Sequence, residues 1–414
     1  MKRYLLCIAL FLVAVSVSAQ FARSLSPSVH SLSVVLNGDN NLPPVLRLNS
    51  DDELQFAFDE MSHNYNRYTC RIQHCDAGWQ PSELFEIDYL DGFNDMPVEE
   101  WENSVNTTFL YTTYSFTLPN ENVNLKLAGN YKVTVVDDDE TPVAEYRFAV
   151  MDERVALSAT VSGNTDIDYN KTHQQLSFAV HHPSYNIPNP AAEVKAVVYQ
   201  NRRTDNYVAG ILPTHITGNS LQYVYNGKLI FDAGNEYRRF EITDTSAPGM
   251  GVERVSYSAP YYHAELYTDA PHKTHLTTLD ENGRYYINTL DGYGSSVEAD
   301  YLFVHFSLAA PQRTGGDYYL MGDFCGNTFD DSNRLFYDAA SGTYRATKLL
   351  KMGLYNYAYV WLPGGSSIAQ TAAAEGDFYN TSNEYLIFIY HKEFGSRYDK
   401  LIGVGRVGAV PAAN

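Results

Sequence analysis

The chain has 414 residues, and its 49 acidic and 29 basic side chains give a formal charge of −20. A balance this acidic repels nucleic acid and anionic membrane surfaces, so neither is expected as a partner. With 34 tyrosines, 20 phenylalanines and only 19% charged residues, the composition is neither disordered nor helical and favours β structure.

In chain order, Lys2-Arg3 gives a short basic start and Tyr4 to Val17 is almost wholly apolar. Val17-Ser18-Ala19 then places small residues before Gln20. This predicts a secretory signal peptide over 1–19, cleaved after Ala19 and carrying Cys7 away with it. The run is too short for the roughly 20 apolar residues of a membrane span. No later stretch is long enough either, so direct membrane insertion is not expected.

From residue 20 to 152 the chain reads as a first β-sandwich. "LQFAF" sets Leu54, Phe56 and Phe58 on one face of a strand, and "NYKVTVV" does the same with Tyr131, Val133 and Val135. "YRFAV" follows after a turn spanning Asp137 to Pro142. The acidic runs Asp51-Asp52-Glu53 and Asp137 to Glu140 flank these strands and read as turns, not as paired catalytic carboxylates. One long insertion, Trp79 to Trp101, carries "FEIDYLDGFND"; loops of that length are functional or lid-like.

A second sandwich is expected over 153–297, with "QQLSFAVHH", "EVKAVVYQN" and "NEYRRFEIT" as its clearest strands. Shorter strands, "YYHAELY" and "RYYINT", follow between turns at Pro271, Asn282-Gly283 and Asp291-Gly292. A third sandwich is expected over 298–408, from "ADYLFVHFSL" through "YYLMG", "YRATKLL" and "YNYAYVW" to "EYLIFIYHKE". Residues 409–414 read as a frayed tail. The predicted fold class is all-β, with tandem immunoglobulin-like or E-set sandwiches.

After cleavage three cysteines remain: Cys70, Cys75 and Cys325. Five residues of extended strand separate Cys70 from Cys75 by about 16 Å and turn them to opposite faces, which rules out a disulfide without a bend. His74, Cys75 and Asp76 lack a second ligand pair, so isolated buried thiols are expected and no metal site. No GxSxG, HExxH or phosphate-loop pattern occurs. His181-His182 is an adjacent pair whose side chains leave a strand on opposite faces. No catalytic residues and no cofactor are predicted.

Tyr355, Tyr357, Tyr359 and Trp361 form an aromatic row at spacing two. The row is suited either to stacking sugar rings or to filling a core. Ala358, Val360 and Leu362 make the opposite parity apolar too, and a strand apolar on both faces is usually covered on both, so core packing is the expectation.

"MGDFCGNTF", "GTYRATKLL" and "GLYNYAYVW" together resemble the immunoglobulin-like glycan-binding module found beside glycogen-processing enzymes. The resemblance covers about residues 300 to 365. The module's two stacking tryptophans are replaced here by Phe329 and Tyr344. On this resemblance the alternative function is a periplasmic or surface glycan-binding protein using Phe329, Tyr344 and Trp361.

A longer set of stretches includes "QHCDAGWQPSELFEIDYLDGFND", "YSFTLPNENVNLKLAGNYKVTVV", "AEVKAVVYQNRR", "FDAGNEYRRFEI", "GSSVEADYLFVHFSL" and "FGSRYDKLIGV". In this order they resemble the plug protein of the type IX secretion system of Bacteroidota, from about Asp51 to Val404. That resemblance implies a non-enzymatic periplasmic protein, peripheral at the inner face of the outer membrane. Its partner would be the giant outer-membrane β-barrel translocon, whose periplasmic mouth it closes when the channel is idle. Tyr89, Asp91 and Phe93 of the long insertion are the candidate contact residues, unless the insertion packs on its own domain as an Ω-like loop. Arg397 and Tyr398 are candidates as well, or form an inter-domain hydrogen-bond corner with Asp399.

Overall fold

The computed structural model describes residues 21–278, 280–290 and 297–408. The expected signal peptide, the tail and the Asp291-Gly292 turn lie outside the described residues. The fold is all-β: among the described residues strand follows strand from Ala22 to Gly408, interrupted by two four-residue helices, Glu86–Tyr89 and Pro190–Glu193, and by two 3-10 turns.

The first sandwich packs a sheet built around Gly129–Val136, Pro142–Met151 and Thr69–Cys75 on a second sheet of Val29–Leu36, Leu54–Glu60, Thr112–Leu118 and Glu100–Asn103. Leu54, Phe56 and Phe58 face Tyr131, Val133 and Tyr146 across one continuous core. Phe56 stacks on Phe116 at 4.8 Å between centroids. Fully burying each such side chain contributes about 1.5–3 kcal/mol, and the alternation puts them all on one side.

Two sheets make the second sandwich. One contains Ala156–Ser162, His173–His181, Ser220–Tyr223 and His215–Thr217; the other runs Val208–Ile211, Val194–Gln200, Glu384–His391, Lys400–Gly408. Its core joins Leu176, Phe178 and Val198 to Tyr385, Ile387 and Ile402, about two hundred residues apart in sequence.

The expected boundary at 297/298 is therefore corrected. The third sandwich is an insertion between the strand Ile230–Asp232 and the strand Glu384–His391. Arg238–Ile242 and Tyr285–Ile287 flank the long strand Gly353–Pro363 in one of its sheets, and Gly316–Met321 pairs with the far end of the same strand. Tyr261–Leu266 pairs in parallel with Tyr301–Leu308 in the other sheet, so a single sheet crosses the expected break. "NEYRRFEIT", "YYHAELY" and "RYYINT" thus belong to the third unit, and "EYLIFIYHKE" to the second. The ends of the insertion meet: Asn383 donates its amide to the Ala233 carbonyl at 2.7 Å, and the Thr381 hydroxyl donates to the Gly234 carbonyl at 2.9 Å.

Each sandwich touches the other two. Trp79, Ala149, Tyr199, Leu386 and Phe388 form an apolar cluster between the first and second. Between the first and third, Phe109 lies face to face on Tyr261 with centroids 4.0 Å apart, and the Tyr111 hydroxyl donates to the Ala299 carbonyl at 2.7 Å. Between the second and third, the Arg284 guanidinium sits 2.7 Å from the Glu384 carboxylate with both side chains buried.

Candidate functional site

The long insertion begins by leaving its own sandwich. Asp76 caps a tight turn, its carboxylate accepting the Gly78 and Gln80 N–H groups at 2.8 and 2.9 Å. Trp79 sits in this turn at φ +63° and is driven into the seam with the second sandwich, where its indole N–H donates to the Tyr199 hydroxyl at 3.4 Å. An indole buried there anchors the insertion's start, so the segment is not a free lid.

Glu86–Tyr89 follows as one helical turn, held by the Phe85 N–H donating to the Asp88 carboxylate at 3.0 Å. In a helix residues two apart point about 200° away from each other. Ile87 accordingly faces solvent, while Tyr89 turns inward, joins the first core and donates its hydroxyl to the Ile72 carbonyl at 3.2 Å. Burial pushes the Tyr89 phenol up to about 12. The candidate contact role of Tyr89 is corrected: it is a core residue.

Asp91 is exposed on the strand Leu90–Gly92, opposite Asn124. Gly92, at φ +113°, lies so close to the Asn122 carbonyl that a side chain there would collide with it. That turn presents Phe93 to solvent. Phe85, Ile87 and Phe93 are 72%, 77% and 88% exposed, and Phe394, on a loop of the second sandwich, is fully exposed.

The loop carrying Phe394 is tied to the insertion. Arg397 pairs with Asp88 at 2.8 Å and also donates to the Glu83 carbonyl at 3.4 Å. The Phe85 N–H, followed by the Arg397 guanidinium, holds the Asp88 carboxyl below its usual range. Tyr398 is half-buried and meets His74 edge-on at 5.5 Å. Asp399 is buried, accepting the Ala77 N–H at 3.0 Å and the Lys195 ammonium at 2.9 Å. Arg397 and Tyr398 are thus placed at the corner between two sandwiches. His74, beneath Tyr398, is enclosed by Tyr89 and Tyr131, and its burial lowers the imidazole to about 4.

The glycan residues do not come together. Tyr344 and Trp361 are buried in the third core, each edge-on to Tyr318 at 4.8 and 4.9 Å. Phe329 packs on Tyr319 in a separate cluster on the other side of the sheet. The strand Gly353–Pro363 is paired along both edges and covered on both faces, so Tyr355, Tyr357 and Tyr359 are core as well. Tyr357 and Tyr359 donate their hydroxyls to Asp269 at 2.8 and 2.9 Å. The proposed stacking platform of Phe329, Tyr344 and Trp361 is therefore corrected.

Cys70, Cys75 and Cys325 are buried free thiols. Among the described residues, no group of three or more His, Cys, Asp or Glu side chains is placed to hold a metal ion.

Sequence reasoning picked out Phe93 but missed Phe85, Ile87 and Phe394. "FEIDY" alternates like a strand, and that period hid the helical turn that sends Ile87 outward and Tyr89 inward. Phe394 had no signal beyond being a lone aromatic beside Gly395.

Residues 29–152 match the family described as type 9 secretion system plug protein 1st domain. A crystal structure of a hypothetical protein from Parabacteroides merdae is similar over 94% of this chain and 99% of its own, with 38% sequence identity and a TM-score of 0.92. None of the curated proteins matches the chain.

Proposed function

We infer that this chain, which belongs to one family with the Parabacteroides merdae protein and carries a type 9 secretion system plug first domain, is a non-enzymatic plug. It binds the periplasmic mouth of the outer-membrane translocon barrel and seals the channel when no substrate is loading. The observation that carries this reading is the match of the first sandwich to the plug family's first domain. On this reading the protein is exported, periplasmic and peripheral at the inner face of the outer membrane. Among the described residues no helix is long and apolar enough to cross a membrane.

The geometry suits a blocking role. Three sandwiches tied pairwise by apolar and ionic seams make a wide body, which obstructs a large pore better than one small domain. The surface we assign to the barrel is the corner bearing Phe85, Ile87, Phe93 and Phe394. Interfaces draw most of their energy from a few aromatic and arginine anchors, and this surface has three exposed phenylalanines, of which Phe85 lies under the Arg397 guanidinium.

Replacing Phe85, Ile87, Phe93 and Phe394 together by serine tests this surface. Co-purification with the barrel should fall at least tenfold while the melting temperature stays near that of the wild type. Undiminished co-purification would move the contact elsewhere.

A further inference from the structure

The three sandwiches meet around a cavity of about 300 Å³. The outer face of the first sandwich supplies Val35 and Ala57, and the third adds Tyr286. The wall also carries charge: Arg202 from the second sandwich, and Arg284 and Asp323 from the third. Asp323 is the aspartate of the Gly322-Asp323-Phe324 turn. That turn is made possible by Gly322 at φ +156°, where a Cβ would stand 2.7 Å from the Asn356 carbonyl.

Neither arginine is fully used. Arg284 is buried; it reaches Glu384 through Nη2 at 2.7 Å and the Glu281 carbonyl through Nη1 at 3.0 Å. Arg202 donates Nη2–H to the Leu42 carbonyl at 3.1 Å, and its Nη1 stands 3.6 Å from Asp323, too long for a hydrogen bond. The Nε–H of each has no hydrogen-bond partner among the described residues.

Arg202 is the least closely paired cation of the cavity wall. Lys351 and Asp59 pair at 2.6 Å on one side and neutralise each other. Glu384 is shared by Arg284 and Arg406, which leaves Arg202 with only its distant contact to Asp323. Asp323 is therefore the nearest carboxylate left to Arg202, and burial raises its carboxyl towards the neutral form. A buried guanidinium with only a distant counter-charge is costly, and a bound anion would relieve that cost.

We propose that this three-domain cavity binds a small organic monocarboxylate, its carboxylate between Arg202 and Arg284 and its apolar body against Val35, Ala57 and Tyr286. Guanidinium groups favour the planar carboxylate, and apolar residues beside convergent polar groups are the usual make-up of a ligand site. The cavity is at the small end of the range such sites occupy, which sets a ligand about the size of octanoate. The apolar residues of the wall favour an anion with an apolar body over phosphate. Each sandwich supplies part of the wall, so the bound molecule braces all three. None of the residues lining the cavity belongs to the Phe85 and Phe394 surface, and the inference does not depend on the plug reading.

Calorimetric titration and thermal melting of the full mature protein with octanoate, octanamide and inorganic phosphate test it. Octanoate should bind one to one and raise the melting temperature; octanamide, of the same shape but uncharged, should bind at least tenfold more weakly, and phosphate more weakly still. Arg202→Gln should reduce octanoate affinity at least tenfold. The octanoate-to-octanamide comparison on the wild type stands even where that variant fails to fold. Equal binding of octanoate and octanamide, binding of neither, or phosphate binding as tightly as octanoate would overturn the proposal.

Discussion

Lys351 of the third sandwich holds its ammonium 2.6 Å from the carboxylate of Asp59 in the first, and both side chains are almost completely buried. Tyr301, directly opposite Lys351 in the paired strands, donates its hydroxyl to the same oxygen at 2.6 Å. Burial pulls the Lys351 ammonium down from its ordinary range, and the Asp59 carboxylate opposes that shift. Replacing Lys351 by alanine leaves the Asp59 charge buried and unmatched, which should cost about 3–5 kcal/mol. The double variant Lys351→Met with Asp59→Asn should recover much of that loss. Urea unfolding of the three proteins checks this; a double variant no more stable than the single would show that the charge is not the cause.

Tyr89 and Phe93 sit four residues apart and should behave oppositely. Tyr89→Ala removes a core side chain and should cost about 3–5 kcal/mol. Phe93→Ser, at an exposed position, should change stability by no more than about 0.5 kcal/mol. Thermal melts of the two variants decide it, and an early-melting Phe93→Ser protein would mean that this ring is structural.

The nested order of the sandwiches makes truncation informative. Ending the chain at residue 382 removes Glu384–His391 and Lys400–Gly408, half of one sheet of the second sandwich. That protein should lose the second sandwich's unfolding transition in scanning calorimetry. The fragment 234–382, whose ends already touch, should fold alone and show a sheet-type circular dichroism spectrum. The reverse outcome would restore the sequential boundary near residue 297.

His74 predicts an acid-side weakness of the seam between first and second sandwiches. Its folded pKa of about 4 lies below the unfolded value near 6.5, so the unfolded state takes up the proton first as pH falls. The contribution of the neutral ring is present above pH 6.5, declines from there to about pH 4, and amounts to at most about 3 kcal/mol. His74→Gln should flatten this part of the stability profile. Parallel profiles for the two proteins would mean that His74 does not titrate within the fold.

Buried aromatics also predict how the third sandwich treats sugars. Trp361→Ala should destabilise it by about 3–5 kcal/mol, and the wild type should show no micromolar affinity for linear or branched glucans. Saturable calorimetric binding of a glucan would contradict the burial of Tyr344 and Trp361.

The strands were legible because alternation is a local signal: Leu54, Phe56 and Phe58 declare an inner face without reference to any partner. Which strand pairs with which is not local, and that hid the insertion of the third sandwich into the second. One trace of it was present. In Glu384–His391 both parities are apolar, and Tyr385 and Ile387 fill the second core while Leu386 and Phe388 meet the first sandwich. A strand apolar on both faces needs cover on both, the same rule that reads Tyr355 to Trp361 as core. The exposed corner was half legible, through Phe93. Lys351 carried no sign of burial, because its counter-charge lies 292 residues away.

Closing a translocon channel is the role we propose for this protein. Its most direct test is to solubilise outer membranes of the native host under mild conditions, capture this protein, and identify what comes with it, alongside the permeability of a deletion strain to large solutes. The account predicts a large β-barrel recovered in stoichiometric amount, and an outer membrane that becomes leakier when the protein is deleted. No co-purifying barrel, together with unchanged permeability in the deletion strain, would contradict it.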